Sequence, residues 1–403
     1  MLNSREEIRD FRKRQESYTK EGRHREVREG YENIAAMWRT GEIDRNRFSL
    51  RRTFEECVTD RFGETVGHRV IEEFRDRGQG GSGVFVEAGD VISTALMSNI
   101  IGQVTFGEVM AEFEKPQYIA LDLVHRRPKT TGEQEMIPGV TMIGDAAGKV
   151  GEGESYPEVA VKEDYIIMPR AIKDGFVLSI TEEAIFEDKT NLLLDRARRG
   201  TESIALTMEK EGLSVLTGIT TSWKWKNQAA VATYGDVSGT HPFDNLVASN
   251  ALTFDNVDVA LNALYAMVDL NTGEKLGFPT QLDVLVPHQL RTLAHYIFNG
   301  ANVENLPSGG TVRVMGSNPL TAQAAFNVKW NNLVTDITSS NSTWFIGDMK
   351  GAFEYAEIYP PQLFVEDRNS AKGFERDIVF RNKVRRRGAF GVRNPQRAVK
   401  CTG

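Results

Sequence analysis

The 403-residue chain carries 49 basic and 56 acidic side chains, a net charge of −7, which argues against a dedicated nucleic-acid binder. Two cysteines, Cys57 and Cys401, exclude a disulfide framework and a four-cysteine zinc site, and this length needs neither to bury a core. Without a secretory signal or a membrane-length apolar run, we expect a soluble intracellular protein with roughly two to three domains and no membrane partner.

Residues 1–80 stand apart because they hold 18 basic and 17 acidic side chains. Sparse apolar residues recur every three to four positions, as at Ile8 and Phe11 and again at Ile34 and Trp38. This spacing predicts amphipathic helices with a thin apolar stripe. A second patterned piece runs from Phe54 to Phe74. We interpret the region as a charged helical N-terminal arm or extension that docks on something else.

Residues 78–83 read GQGGSG and match the G-x-G-x-x-G pattern of dinucleotide sites. That site needs a strand before the glycines and a helix after them, whereas a charged helical pattern precedes these and an apolar run follows. A hinge is the better interpretation. Residues 144–149 only faintly resemble a phosphate loop, with too few residues between the glycines, so no cofactor site is predicted.

Residues 136–180 have the pattern of β-structure. One apolar run spans 137–143, a return spans 159–168, and the glycine-rich tip between them predicts a long hairpin. Alternation at Phe176, Leu178 and Ile180 predicts a further strand.

The longest helical pattern covers roughly residues 182–216. It follows a sequence with capping-box spacing that starts at Ser179. A helix of this length exceeds the usual globular helix, so we expect it to lie across something extended, such as a sheet.

The C-terminal half alternates between helical and strand patterns. A helix face is predicted over 257–268, a turn at 271–273, a strand at 282–286 and a second helix after Pro287. Residues 218–250, with Trp223 and Trp225 in a polar setting, and 305–320 are predicted as loops. Further strands are predicted over 328–337, 343–346, 363–365 and 374–400.

No arrangement of side chains predicts catalysis or metal binding. The six histidines form no H-E-x-x-H motif and no tight cluster with carboxylates, and His288 and His295 are seven positions apart, too far for a helical metal pair. A Cys57–His68 pair is possible in principle, but a small buried cysteine is the default. We therefore predict no enzyme activity, no cofactor and no metal.

The charge pattern is more informative. The stretch 381–400 has eight basic residues and no acidic one, whereas 151–164 has five acidic residues against Lys162. Complementary patches on one chain suit self-association, with nucleic-acid contact and a solvated edge strand as alternatives. The residues predicted to form contacts between subunits are Glu152, Glu154, Glu158, Glu163, Asp164, Arg381, Lys383, Arg385, Arg386 and Arg387.

The order of these features resembles tailed-phage major capsid proteins of the Hong Kong 97-type fold. Four segments carry the resemblance: the acidic segment 152–158 (EGESYPE) with its return strand and 172–185, the glycine turn after the long helix at 213–218, the helix–turn–strand–helix unit of 257–298, and a final set of motifs. That set comprises 345–348, 365–367, Phe374, the arginine-rich strand and 394–400.

The resemblance implies an α+β fold with a long spine helix, an extended β-hairpin loop, and peripheral and axial domains. By similarity, the chain begins with the arm or extension (1–80), and an N-terminal arm (81–135) leads into the peripheral domain. The extended loop (136–172) follows, and then the part of the peripheral domain that holds the spine helix (173–235). The axial domain covers 236–351, and the chain returns to the peripheral domain over 352–403.

The resemblance also implies a function: a structural subunit that self-assembles into an icosahedral virion shell in the bacterial cytoplasm. The implied partners are further copies as hexamers and pentamers, portal, scaffold or decoration proteins, and packaged DNA bound non-specifically on the inner surface. An encapsulin shell protein is the close alternative. An α/β enzyme using 257–350 and a nucleic-acid binder using 381–400 are the others.

Overall fold

The structure is a computed structural model that describes most of the chain outside the first hundred residues and the loop tip. The described residues are 4–43, 100–104, 118–129, 131–138, 165–181, 192–219, 223–226, 228–237, 241–300, 302–305, 314–317, 325–367 and 378–403, with single positions at 2, 48, 53, 107, 152, 155 and 320. The predicted helical pattern of 54–74, the hinge at 78–83 and most of the loop tip lie outside them.

The chain divides into two compact units. The first comprises Met1–Lys115, Lys173–Ala205 and Pro361–Arg386, and the second comprises Pro116–Ile172, Leu206–Pro360 and Arg387–Gly403. The domain ranges implied by the resemblance remain a prediction.

The first unit begins with the two predicted amphipathic helices, α1 (Arg5–Lys20) and α2 (His24–Thr40). Ser4 caps α1 in a capping box with Glu7, and Gly41 ends α2 with a left-handed φ of 80°. The thin apolar stripes are buried, and Gly107 lies close against Trp38. The exposed faces carry ion pairs one helical turn apart, so residues 1–40 pack by their stripes within this unit.

Three long strands and one short strand form a four-stranded sheet. They are β1 (His125–Pro128), β4 (Ile172–Thr181), β11 (Phe353–Asp367) and β12 (Ile378–Val392), in the order β1-β11-β12-β4. The expected extended loop begins and ends in the antiparallel pair β2 (Glu135–Pro138) and β3 (Tyr165–Met168).

The long helix is α3 (Leu192–Leu216), and its end agrees with the prediction. The proposed cap at Ser179 is wrong, because Ser179 to Thr181 continue strand β4. In the first unit, Ile204 of the helix packs with Val384 of β12 and Phe176 of β4, so the helix does lie on a sheet.

The second unit has a sheet in the order β5-β13-β10-β6-β9. Strand β6 (Gln281–Pro287) runs antiparallel to β10 (Trp344–Gly347) and parallel to β9 (Ala325–Asn331), while β13 (Ala398–Cys401) joins β10 to the short β5 (Leu246–Val247). Apart from Gln281, every residue of β6 is buried, as expected for a strand covered on both faces.

Helices accompany this sheet: α4 (Phe254–Ala266), α5 (Arg291–Asn299), α6 (Asn332–Thr338) and the short α7 (Met349–Ala352). The predicted strand 328–337 is wrong after Asn331, whose side chain accepts a hydrogen bond from the Leu333 backbone and caps α6. Val268 lies beyond α4 and is exposed, and a 3-10 helix at His288–Leu290 precedes α5.

One predicted loop also needs correction. The 305–320 region contains part of an antiparallel pair, β7 (Asn302–Asn305) with β8 (Val314–Ser317). Trp223 and Trp225, whose neighbours in the sequence are polar, are buried, with stacked rings whose centroids are 6.4 Å apart. Of the helices described, none is both long enough and apolar enough to span a bilayer.

Candidate functional site

The arginine-rich strand β12 places its charges alternately on two faces. Because successive side chains of a strand point to opposite sides, Val384 and Arg386 share one face, while Arg381, Lys383 and Arg385 share the other. The first face is the one that packs on Ile204 of α3. The predicted contact residues therefore do not form a single surface.

Arg386 lies on the packed face and is 2% exposed. One of its terminal nitrogens is 2.6 Å from Oδ2 of Asp174, on the neighbouring strand β4. An arginine buried beside a carboxylate is held as part of the fold, because burial without a partner would be costly. Because Arg386 pairs within its own chain and is buried, it differs from the other residues predicted to contact a neighbouring subunit.

The opposite face is accessible and basic. Lys383 is exposed, and Arg381 and Arg385 are partly exposed. Their partners come from β11: Arg381 lies 3.3 Å from Glu366, and Arg385 donates to Gln362 over 3.4 Å. Both arginines are thus held against β11, and Lys383 is the most exposed of the three cations.

Phe364 of β11 lies beside these cations and is 41% exposed. The Arg385 guanidinium is 4.3 Å from the ring centroid and the Lys383 ammonium is 5.0 Å from it. Such cation–π contacts position both charges over an apolar base. We call the surface formed by Gln362, Phe364, Lys383 and Arg385 the Phe364 platform.

The remaining predicted contact residues are placed as follows. In the second unit, Arg387 is partly buried, and its Nε donates to the Ala171 carbonyl over 3.5 Å. Glu152 is exposed. Glu154, Glu158, Glu163 and Asp164 lie outside the described residues. The predicted pairing of acidic and basic patches between copies stays a prediction.

The root of the extended loop is held by an ion-pair network that sequence analysis missed. Both terminal nitrogens of Arg127 in β1 donate to the Glu135 carboxylate in β2, each over 3.0 Å, and its Nε donates to Glu354 in β11. These hydrogen bonds raise the pKa of Arg127 and lower that of Glu135, while burial lowers the pKa of the adjacent Lys129. The strand that enters the loop is thus fixed to the sheet.

A second missed contact centres on Glu209 of α3. Its carboxylate accepts hydrogen bonds from the backbone N–H groups of Ile119 and Ala120, each over 3.0 Å, and from Asn331 over 2.8 Å. Burial raises the pKa of this carboxyl, and the three hydrogen bonds oppose the increase. Glu209 therefore ties residues 119–120 and strand β9 to the second half of the helix.

The described residues contain no group of side chains suited to a metal ion. Within the ranges described above, no three histidine, cysteine or carboxylate side chains are grouped so as to hold a metal ion. Cys401 is a free, buried thiol in β13, and Cys57 lies outside the described residues.

The long helix on a sheet, the β2–β3 pair and the helix-flanked second sheet together form an α+β fold. A sequence model described as phage capsid protein matches residues 167–401, more than half of the chain. The chain belongs to this family. The resemblance to tailed-phage capsid proteins is thereby confirmed.

Solved structures similar to this chain include two from phages and one of a virus-like particle. The cyanophage P-SCSP1u capsid is 12% identical over 69% of this chain and 86% of its own, with a TM-score of 0.44. Mycobacterium phage Cain is 16% identical over 72% and 90%, with a TM-score of 0.40. A virus-like particle from Pyrococcus furiosus is 11% identical over 73% and 96%, with a TM-score of 0.37. A search of curated proteins found no significant match.

Membership in the family gives the chain its role. It is a phage major capsid protein, a structural rather than catalytic component of the virion capsid, and it assembles with copies of itself into a shell. The mixed helix-and-sheet fold predicted from the sequence is also confirmed. Of the alternatives, the family match favours the phage capsid over the encapsulin, the α/β enzyme and the nucleic-acid binder.

Proposed function

We propose that the subunits assemble in the bacterial cytoplasm as hexamers and pentamers of an icosahedral head. Ring-shaped assemblies of identical chains use different surfaces on the two sides of each contact, so the surfaces must be complementary. The chain offers such a pair in its acidic loop residues and the basic outer face of β12. Many modest contacts of this kind stabilise a shell through multivalency.

The observation that carries this proposal is the exposed basic face formed by Arg381, Lys383 and Arg385. The extended loop, 136–172, supplies the opposite charge through its predicted contact residues, Glu152, Glu154, Glu158, Glu163 and Asp164. In this arrangement the loop of one subunit lies on β12 of the next. Arg386 contributes to folding instead, because it pairs with Asp174.

Other partners belong to the same proposal. Packaged DNA touches the inner surface without sequence preference, and portal, scaffold or decoration proteins complete the head. The ranges 236–351 and 173–235 with 352–403 act as axial and peripheral domains, and 1–80 acts as an arm or scaffold-like extension.

Charge reversal tests the loop–strand contact. We expect Lys383→Glu with Arg385→Glu to abolish shells seen by sedimentation and negative-stain microscopy, and Glu154→Lys with Glu158→Lys in the same chain to restore them in part. The matched control, Arg126→Glu with Lys210→Glu, changes the net charge equally at two exposed positions and should assemble. Normal shells from the Lys383 and Arg385 double variant would show that the contact is wrong.

A further inference from the structure

The second sheet ends in a strand whose outer edge is paired with no other described strand. Strand β9 is last in the order β5-β13-β10-β6-β9, and it runs parallel to β6. The Ala325 N–H donates to the Thr280 carbonyl over 3.0 Å, so the backbone groups of Ala325 point toward β6. Because these directions alternate along a strand, the N–H and C=O groups of Phe326, Val328 and Trp330 point outward.

The side chains of β9 make their contacts above and below the sheet. On one face, the Phe326 ring lies 4.9 Å from that of Phe298 in α5, and on the other Asn327 donates to Asp283 over 2.8 Å. Trp330 is 46% exposed at the end of the strand. The strand contains neither proline nor glycine. A seven-residue edge of this kind is a template for pairing with a further strand.

We propose that the outer edge of β9 pairs with β9 of a second copy, antiparallel and centred on Val328, so that the unassembled subunit forms a two-fold dimer. In this register Val328 lies opposite its own counterpart, and Phe326 lies opposite Trp330 of the partner subunit. The three outward residues are symmetric about Val328, so every outward N–H meets an outward C=O. The inference does not depend on the proposed contact between the loop and β12.

Self-complementarity favours a second copy over any other occupant. The antiparallel register pairs a phenylalanine with a tryptophan on each side of the two-fold axis, and aromatic pairs across strands are stabilising. On the other face it sets Lys329 opposite Asn327 of the partner subunit, so no like charges oppose each other. A contact that uses the same patch on both subunits is the usual form of a two-fold dimer.

The opposite edge of the sheet explains why pairing would stop at two copies. That edge is β5, which has only two residues and is joined to β13. A strand so short offers little backbone for another chain to add to. Two five-stranded sheets therefore join into one sheet of ten strands without leaving a second long edge.

Charge at position 328 is the first test, because this residue lies opposite itself. We expect Val328→Lys and Val328→Glu each to raise the dissociation constant of the dimer about tenfold, since like charges would face each other. An equal mixture of the two variants should restore the dimer. Sedimentation velocity below the concentration at which shells form measures this, and the melting temperature of each variant reports on folding.

The matched control for the charge test is Val259→Lys, a substitution at an exposed valine of α4. It should dimerise as the wild type does. A wild-type subunit that stays monomeric overturns the inference, and so does a dimer that is indifferent to the charge at position 328. Shell formation is scored separately, so either result leaves the proposed function standing.

Proximity is the second test, and it keeps the strand uncharged. In an antiparallel pair that exchanges both hydrogen bonds the Cα atoms are about 5.5 Å apart, within the range that a disulfide spans. Oxidation of Val328→Cys should therefore give a disulfide-linked dimer and no larger species on a non-reducing gel. The wild type and Val259→Cys should give single-chain bands. A dimer that sediments as such but is not linked through position 328 overturns the proposed register.

Discussion

Arg386 and Asp174 face each other from neighbouring strands, with 2.6 Å between a guanidinium nitrogen and Oδ2 of the carboxylate. The arginine side chain is 2% exposed and the aspartate side chain 23% exposed. The pair lies on the side of the sheet that packs on α3, directly next to residues whose charges face solvent.

Removal of the Asp174 carboxylate should therefore destabilise the subunit. We expect Asp174→Ala to lower the free energy of unfolding by about 2 to 4 kcal/mol, because it leaves a buried guanidinium without its carboxylate. Urea unfolding of the unassembled subunit measures the change. Lys173→Ala, at the adjacent exposed position of β4, should have an effect below about 0.5 kcal/mol. Equal effects of the two substitutions would contradict a stabilising role for the Arg386–Asp174 ion pair.

The root of the extended loop should loosen when its ion pair is weakened. Glu135→Gln removes from β2 the carboxylate charge that pairs with Arg127. We therefore expect amide exchange in 135–138 and 165–168 to become about three- to tenfold faster. Hydrogen–deuterium exchange with mass spectrometry measures this. Glu133→Gln, two residues away and exposed, is the control. Unchanged exchange in Glu135→Gln would mean that the ion pair does not fix the hairpin.

Low pH should also loosen the root of the extended loop, the strand pair β2–β3. Because the hydrogen bond from Arg127 lowers the pKa of Glu135, the folded state binds its proton less readily than the unfolded state does. The stabilisation is complete above the ordinary value of 4.5 and is lost as the pH falls through the lowered pKa. Protection of the root strands at several pH values from 6 downward tests the sign, and constant protection would contradict it.

Glu209 should give the opposite pH dependence. Burial raises its pKa, so the folded state binds the proton more readily, and the stabilisation is complete below 4.5 and lost as the pH rises through the raised pKa. We expect the free energy of unfolding of the wild type to fall relative to that of Glu209→Gln over this range. Parallel pH profiles from denaturant unfolding would show that the three hydrogen bonds fully offset burial.

Gly347 should tolerate no side chain. Its φ is 152°, and a Cβ there would lie 2.2 Å from the Arg397 carbonyl oxygen. We expect Gly347→Ala to cost about 3 kcal/mol or more, since both the backbone and the contact with β13 would have to shift. Gly277→Ala, where nothing lies within 4 Å, should be nearly neutral. Thermal unfolding of the two variants compares them, and similar melting temperatures would refute the argument.

Local periodicity predicted much of the fold. The stripes of α1 and α2, the alternation of β4 and the end of α3 each depend on residues close in sequence, and these predictions are confirmed. Local signals failed where two of them competed. The spacing at Ser179 suits a helix cap, yet the strand continues through it, and the apolar residues after Asn331 suit a strand although that asparagine caps a helix.

The contacts that organise the candidate site were not predictable in the same way. Glu354 and Arg127 are 227 positions apart, and Glu209 meets the Ile119 backbone across 90. No motif marks either carboxylate, because each contact is set by how distant segments pair in three dimensions. The run of arginines was visible in the sequence, and a strand turns Arg385 and Arg386 to opposite sides, but only the structure shows that Arg386 is on the buried side.

The two-sided pattern of β12 has a consequence for how such a subunit can diversify. Positions 381, 383 and 385 lie on the accessible side of β12, whereas Val384 and Arg386 are buried on the side that packs on α3. Under the proposed contact between subunits, substitutions on one side of this single strand would change which neighbours a subunit binds, while the side that packs on α3 stays the same.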